Sequence, residues 1–155
     1  MAYFFTMNDK KIQLFTIGFT GKSAEDFFGK IKQANVKKII DTRLWATSQL
    51  AAFARKKDLP FFLKQLCDVA YEYSEICAPT QDILKAYKEE KITWAEYECE
   101  YKALINTRDL EEHFRPQDME GACLLCACKD ESKCHRRLLA EFFQEKWPNV
   151  QVTHL

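Results

Sequence analysis

Residues 12–40, IQLFTIGFTGKSAEDFFGKIKQANVKKII, decide the fold. The opening IQLFTI is a short β-prone run that stops at Gly18, and Gly21 follows before Ser23, which suits a helix N-cap. Phe27, Phe28, Ile31 and Ala34 then recur at helical spacing to about Asn35, after which VKKII at 36–40 returns to strand character. Strand, helix and strand in that order make a β-α-β unit, which implies parallel strands joined by a right-handed crossover.

The rest of the chain extends this pattern. Residues 44–58 have no clean period and read as a long loop carrying Trp45 and Phe53, followed by a helix from about Pro60 to Val69 and a third strand in AYEYSEI at 70–76. Thr80 opens a helix, Thr93 opens another with Glu96 in a T-x-x-E capping box, and a shorter helix covers Leu110 to Phe114. ACLLCA at 122–127 is a continuous apolar run of buried-strand type. A helix opening near Ser132 to Cys134 runs to about Trp147, and Val150 to Thr153 form a last strand. The expectation is an α/β fold: a single three-layer doubly wound domain over 1–155, with a mostly parallel sheet and a helical insertion at about 80–114 before the fourth strand. Ligands of such folds lie outside the carboxyl ends of the strands, so the segments after Ile17, Ile40, Ile76 and Cys126 are the ones to inspect.

A chain of 155 residues can bury a core without staples. Its 23 basic and 23 acidic residues cancel, which weighs against a non-specific nucleic-acid or membrane-surface binder and leaves nucleic acid open only through a local patch. The opening MAYFFTMNDKK lacks the features of a secretory signal, no segment approaches a membrane span, and a cytoplasmic location is expected. Seven cysteines in a chain of this size point to free thiols, metal ligands or a catalytic thiol rather than a disulfide framework. Cys67, Cys77 and Cys99 stand alone and are expected to pack as small hydrophobes.

The stretch with most chemistry is LLCACKDESKCHRR at 124–137, where an apolar strand leads through a short polar loop into a helix. Free amides and the positive dipole end of that helix favour an anion, and Lys133 and Arg136 add charge of the same sign. The same influences make Cys134 the thiol expected to be most acidic, unless it packs inward beneath Leu138. Arg137 lies over Glu141 and reads as a helix-surface pair. Cys126, Cys128, Cys134 and His135 give C-x-C-x5-C-H, a zinc-binding alternative. Adjacent helical side chains diverge by roughly 100°, so no bound metal is expected.

On the second strand, Asp41 and Arg43 share a side just after Ile39 and Ile40. Arg43 can hold a carboxylate or phosphate, and Asp41 can orient Arg43, orient His135 or act as a base. Gly18 and Gly21 permit a tight turn or close ligand approach. Glu75 and Asp82 read as solvated loop residues, and Tyr97 and Tyr101 with Trp94 and Leu104 read as a core stripe.

TIG at 16–18, DTR at 41–43, KDLPFFLKQL at 57–66 and LLCACKDESKCHRR at 124–137 together resemble the family called domain of unknown function 488. The resemblance brings no established activity. It implies a compact α/β fold and a shared cluster at Asp41, Arg43, Cys126, Cys134, His135 and Arg136. The chain departs from the family pattern at Phe19, where a histidine is common, at Thr42, where valine is common, and at Ala46 or Thr47, where a proline is common. Cys128 stands near a usual acidic position.

The leading expectation is therefore an enzyme acting on a small anionic molecule, a nucleotide or phosphorylated compound, at the strand ends. Arg43 and Arg136 would bind the anion with Gly18 permitting its approach, Cys134 or Cys126 would be the nucleophile or redox thiol, and His135 and Asp41 would be acid-base partners. The rival is a non-catalytic module that grips a ligand or nucleic acid with the same groups. Substrate, cofactor and oligomeric state are open.

Overall fold

A computed structural model describes residues 10–46 and 51–155. Thr47, one of the family departures, lies outside them, as does part of the loop read at 44–58. Five strands, β1 (Ile12–Gly18), β2 (Lys38–Asp41), β3 (Ala70–Tyr73), β4 (Ala122–Cys126) and β5 (Val150–His154), form one sheet in the order β3-β2-β4-β1-β5. Every pairing is parallel, with Gly18 opposite Cys126 and Asp41 opposite Leu125. Among the described residues the mostly parallel sheet expected is parallel throughout.

Helix α1 (Ala24–Gln33) begins where the Ser23 hydroxyl accepts the Asp26 amide at 3.1 Å, and it buries Phe27, Phe28 and Ile31. Each buried side chain of this kind contributes on the order of 2 kcal/mol. With α2 (Leu59–Cys67), which has proline in its first turn, α1 covers the face presented by Ile17, Ile39, Cys123 and Leu125. The opposite face, presented by Leu14, Ile40 and Leu124, is covered by α4 (Trp94–Asn106) and α6 (His135–Lys146), with α3 (Gln81–Lys88) and α5 (Leu110–His113) completing the insertion before β4. This is a three-layer α/β arrangement. The Thr93–Glu96 capping box forms as the T-x-x-E spacing predicts.

The third strand stops at Tyr73, and a 3-10 turn at Glu75–Cys77 takes the rest of the stretch read as strand. Cys99 corrects another expectation. It is exposed, because Tyr97, Tyr101 and Ile105 define the buried stripe of α4 and Cys99 lies off it. Cys77 is buried and Cys67 half-buried. No helix among the described residues is long and apolar enough to cross a membrane.

The connections leaving β1 and β4 fix the site. The chain leaves β1 toward β2 over the α1 face and leaves adjacent β4 toward β5 over the α6 face. Where neighbouring strands send their connections to opposite faces, their carboxyl ends part and leave a crevice.

Candidate functional site

Gly18 at the end of β1 is held to glycine by its own protein. A Cβ there would lie 1.7 Å from the Cys128 carbonyl oxygen and 2.5 Å from Arg136 Nη1. The room expected to admit a ligand is taken by the loop after β4 and by the first turn of α6.

That loop gathers three sulfurs. Cys126 ends β4, Cys128 follows it in the loop and Cys134 is the N-cap of α6, and their Sγ atoms all lie within 4.8 Å of one another. Cys126 Sγ and Cys134 Sγ are 2.7 Å apart, and the Cys128 amide donates to Cys126 Sγ at 3.2 Å. Arg136 is fully buried beneath them. Its Nη1 donates to Cys126 Sγ at 3.2 Å and to the Cys128 carbonyl at 3.0 Å, while Nε donates to Thr16 Oγ1 at 3.1 Å. Arg136, expected to bind the anion, is buried, with Nη1 and Nε donating to Cys126, Cys128 and Thr16. The reason is its place on the first turn of α6, facing β1 rather than solvent.

The acidity of the thiols reverses the expected order. Burial pushes Cys134 well up, with the neighbouring thiols adding to it, and burial also raises Cys126. Cys128, half-buried, is pulled far down by hydrogen bonds from those two thiols, with Arg136 contributing further. The three thiols are thus shifted in opposite directions, down at Cys128, which has most access to solvent, and up at Cys126 and Cys134.

His135 turns away from the sulfurs. Its Nε2 lies 3.0 Å from both the hydroxyl and the carbonyl oxygen of Thr42, whose hydroxyl donates in turn to the Leu125 carbonyl. With that hydroxyl proton committed, Nε2 carries the hydrogen and donates to Thr42. Burial keeps the ring's pKa low, so the imidazole is neutral. The spacing argument against a four-ligand metal set thus holds for His135 and fails for the three cysteines.

Asp41 and Arg43 form the buried pair that their spacing suggests. Asp41 Oδ1 accepts from Arg43 Nε at 2.9 Å, and Oδ2 accepts from Arg43 Nη2 at 2.7 Å and from the Tyr71 hydroxyl at 2.6 Å. Asp41 orients Arg43, and among the described residues no hydrogen bond links it to His135. Arg43 Nη1 is buried without a partner among the described residues.

A cavity of about 290 Å³ opens at this end of the sheet, lined by Arg43, Trp45, Tyr87, Trp94, Cys128, Lys133, Cys134 and His135 among others. Cys126 and Arg136 lie behind it. The Lys88 ammonium sits 5.0 Å from the Trp45 ring, and Trp94 stacks on Tyr97 at 5.0 Å, so one wall is aromatic. The sequence assigned Trp94 and Tyr97 wholly to the core, since helical spacing shows which face is apolar and not where that face runs out into a cleft. Cys128, which the sequence offers only as a ligand of the C-x-C-x5-C-H zinc alternative, also lines the cavity. Its C-x-C spacing at a strand end was the available signal. Glu75 and Asp82 are exposed, but they lie in the 3-10 turn and in the first turn of α3 rather than in loops.

Arg43, Cys126, Cys134 and His135 are thus brought to one end of the sheet from two distant segments. Neither the curated proteins nor the solved structures contain a match to this chain. The family model described as domain of unknown function DUF488 matches residues 23–143, a span that holds every residue of the sulfur cluster, the Asp41–Arg43 pair and His135, and the chain belongs to that family.

Proposed function

We propose that the chain is an enzyme that acts on a small anionic molecule seated in the strand-end cavity, with a cysteine thiolate as its reactive group. The observation that carries this reading is Arg43: only 4% exposed, clamped by Asp41, with one buried guanidinium nitrogen that has no partner among the described residues, and lining a cavity that Cys128 also lines. A buried donor left unpaired costs about 1–3 kcal/mol, which an anionic ligand would recover. Arg43 binds the anionic group, the aromatic wall receives an apolar or planar body, and Lys133 adds positive charge at the rim. Cys128 is the nucleophile, in place of Cys134 and Cys126 behind it, and Arg136 holds the cluster's negative charge. His135 positions the turn after β2 by gripping Thr42, and Asp41 positions Arg43.

Alkylation with a matched pair of reagents tests this. Iodoacetate carries a carboxylate and iodoacetamide does not, so Arg43 raises the ratio of their rates at Cys128 relative to that at exposed Cys99 by about tenfold, the scale of one charge-assisted hydrogen bond. Arg43→Gln returns the ratio to that of Cys99. Equal ratios in the unmodified protein would leave a module that binds without thiol chemistry as the better reading.

A further inference from the structure

We propose that Cys126, Cys128 and Cys134 form a binding site for one thiophilic divalent ion, of the zinc or cadmium class, held by three thiolates with its fourth position on the cavity side. The site goes beyond the proposed thiol reaction and competes with it, because the ion occupies the sulfur that reaction uses.

Three observations carry it. The first is convergence: a strand end, a loop and a helix N-cap bring three sulfurs within 4.8 Å of one another. A tetrahedral ion with metal–sulfur bonds of about 2.3 Å sets its sulfurs about 3.8 Å apart, inside that limit. The Cys126–Cys134 contact of 2.7 Å opens by roughly 1 Å to accept it.

The second is the surroundings of the sulfurs. Cysteines that merely fill space need no donors, yet the Cys128 amide and Arg136 Nη1 both point hydrogens at Cys126 Sγ at 3.2 Å. Such N–H groups orient thiolate ligands and offset their charge in metal centres.

The third is charge. Arg136 is fully buried, and among the described residues its nearest carboxylate oxygen, of Glu131, is 3.9 Å away, beyond hydrogen-bond reach. A buried guanidinium needs a compensating negative charge. A divalent ion with three thiolates carries a net charge of minus one, which Arg136 balances, while the displaced thiol protons pass to solvent. A monovalent ion in the same site would leave an excess negative charge. His135 is not the fourth ligand, since its Nε2 is committed to Thr42. Cys128 and Cys134 line the cavity, and that is the side on which the coordination shell stays open.

The test uses the full chain, fully reduced and stripped of metal with a chelator, titrated with cadmium ion and then competed with zinc ion. The expected result is a sulfur-to-cadmium charge-transfer absorbance saturating at one ion per chain, with that ion visible in the native mass. Bound cadmium protects Cys128 from alkylation and leaves Cys99 reactive. Cys128→Ser, a change at a half-buried loop position whose fold is checked by circular dichroism, weakens binding more than about a hundredfold, whereas Cys67→Ser leaves it unchanged. His135→Asn retains the cadmium absorbance. Absence of the charge-transfer band, or its survival in Cys128→Ser, would overturn the proposal. Iodoacetate preference in metal-free protein is read independently, so loss of one reading leaves the other standing.

Discussion

His135 Nε2 lies 3.0 Å from both oxygens of Thr42, a bond that ties the start of α6 to the end of β2 across 93 positions of sequence. It sets Arg43, the next residue, against the cavity. The buried ring is neutral, and this has a pH consequence. Its pKa is depressed by burial below the ordinary 6.5, so the unfolded chain takes up a proton that the folded chain refuses. The stability His135 contributes is present above about pH 6.5 and is lost as pH falls below it. His154 is shifted in the same direction. Urea midpoints are expected to drop between pH 7.5 and 5.5. In His135→Gln the drop is smaller, and stability at pH 7.5 is reduced by about 1–3 kcal/mol. An equally steep drop in that variant would place the titrating group elsewhere.

Gly18→Ala is expected to cost at least about 3 kcal/mol, because the new methyl meets the Cys128 carbonyl, which is backbone and cannot rotate away. The displaced loop carries Cys128, so its alkylation rate also changes. Gly29→Ala is the control. Nothing lies within 4 Å of a Cβ there, and a mid-helix glycine replaced by alanine gains about 0.5–1 kcal/mol. Thermal melts of the two variants should move in opposite directions.

In metal-free, reduced protein, iodoacetamide is expected to modify Cys128 at a rate nearly independent of pH from 6 to 9, about the range in which ordinary thiols ionise. Its pKa is held far below that range, so the thiolate is present throughout. Burial raises Cys67, whose rate climbs with pH, and pushes Cys77 up to about 11, which leaves it inert over the same interval. Mass spectrometry at each cysteine reads the order. Modification of Cys134 ahead of Cys128 would restore the assignment suggested by the helix N-terminus.

Arg43→Lys keeps the charge and loses the fork. An ammonium cannot satisfy both Asp41 oxygens and also present a second nitrogen to the cavity. The variant is expected to lose the iodoacetate preference at Cys128 and about 2 kcal/mol of stability, since the buried carboxylate keeps the Tyr71 hydroxyl and loses one arginine bond. A variant with wild-type preference would show that charge alone suffices.

The elements of this fold were legible because each is written locally. Gly18 ends β1, Ser23 caps α1, Thr93 and Glu96 close a capping box, and ACLLCA has the unbroken apolar character of a strand covered on both faces. The placing of Asp41, Arg43, Cys126 and Cys134 at one end of the sheet followed from direction alone, because parallel strands point their carboxyl ends the same way.

What the sequence determined by itself was the α/β class, the helical insertion before β4, the family and the segments from which the site is built. Tertiary structure alone decided the strand order β3-β2-β4-β1-β5 and the division of labour within the site. Side-chain identity says that Arg136 is positive and Cys134 starts a helix. It does not say that Arg136 faces β1 under the sulfurs or that burial outweighs the helix dipole at Cys134. Those outcomes depend on desolvation and on contacts between residues up to 120 positions apart, such as Thr16 with Arg136. Energies of that kind exist only once the chain has closed on itself.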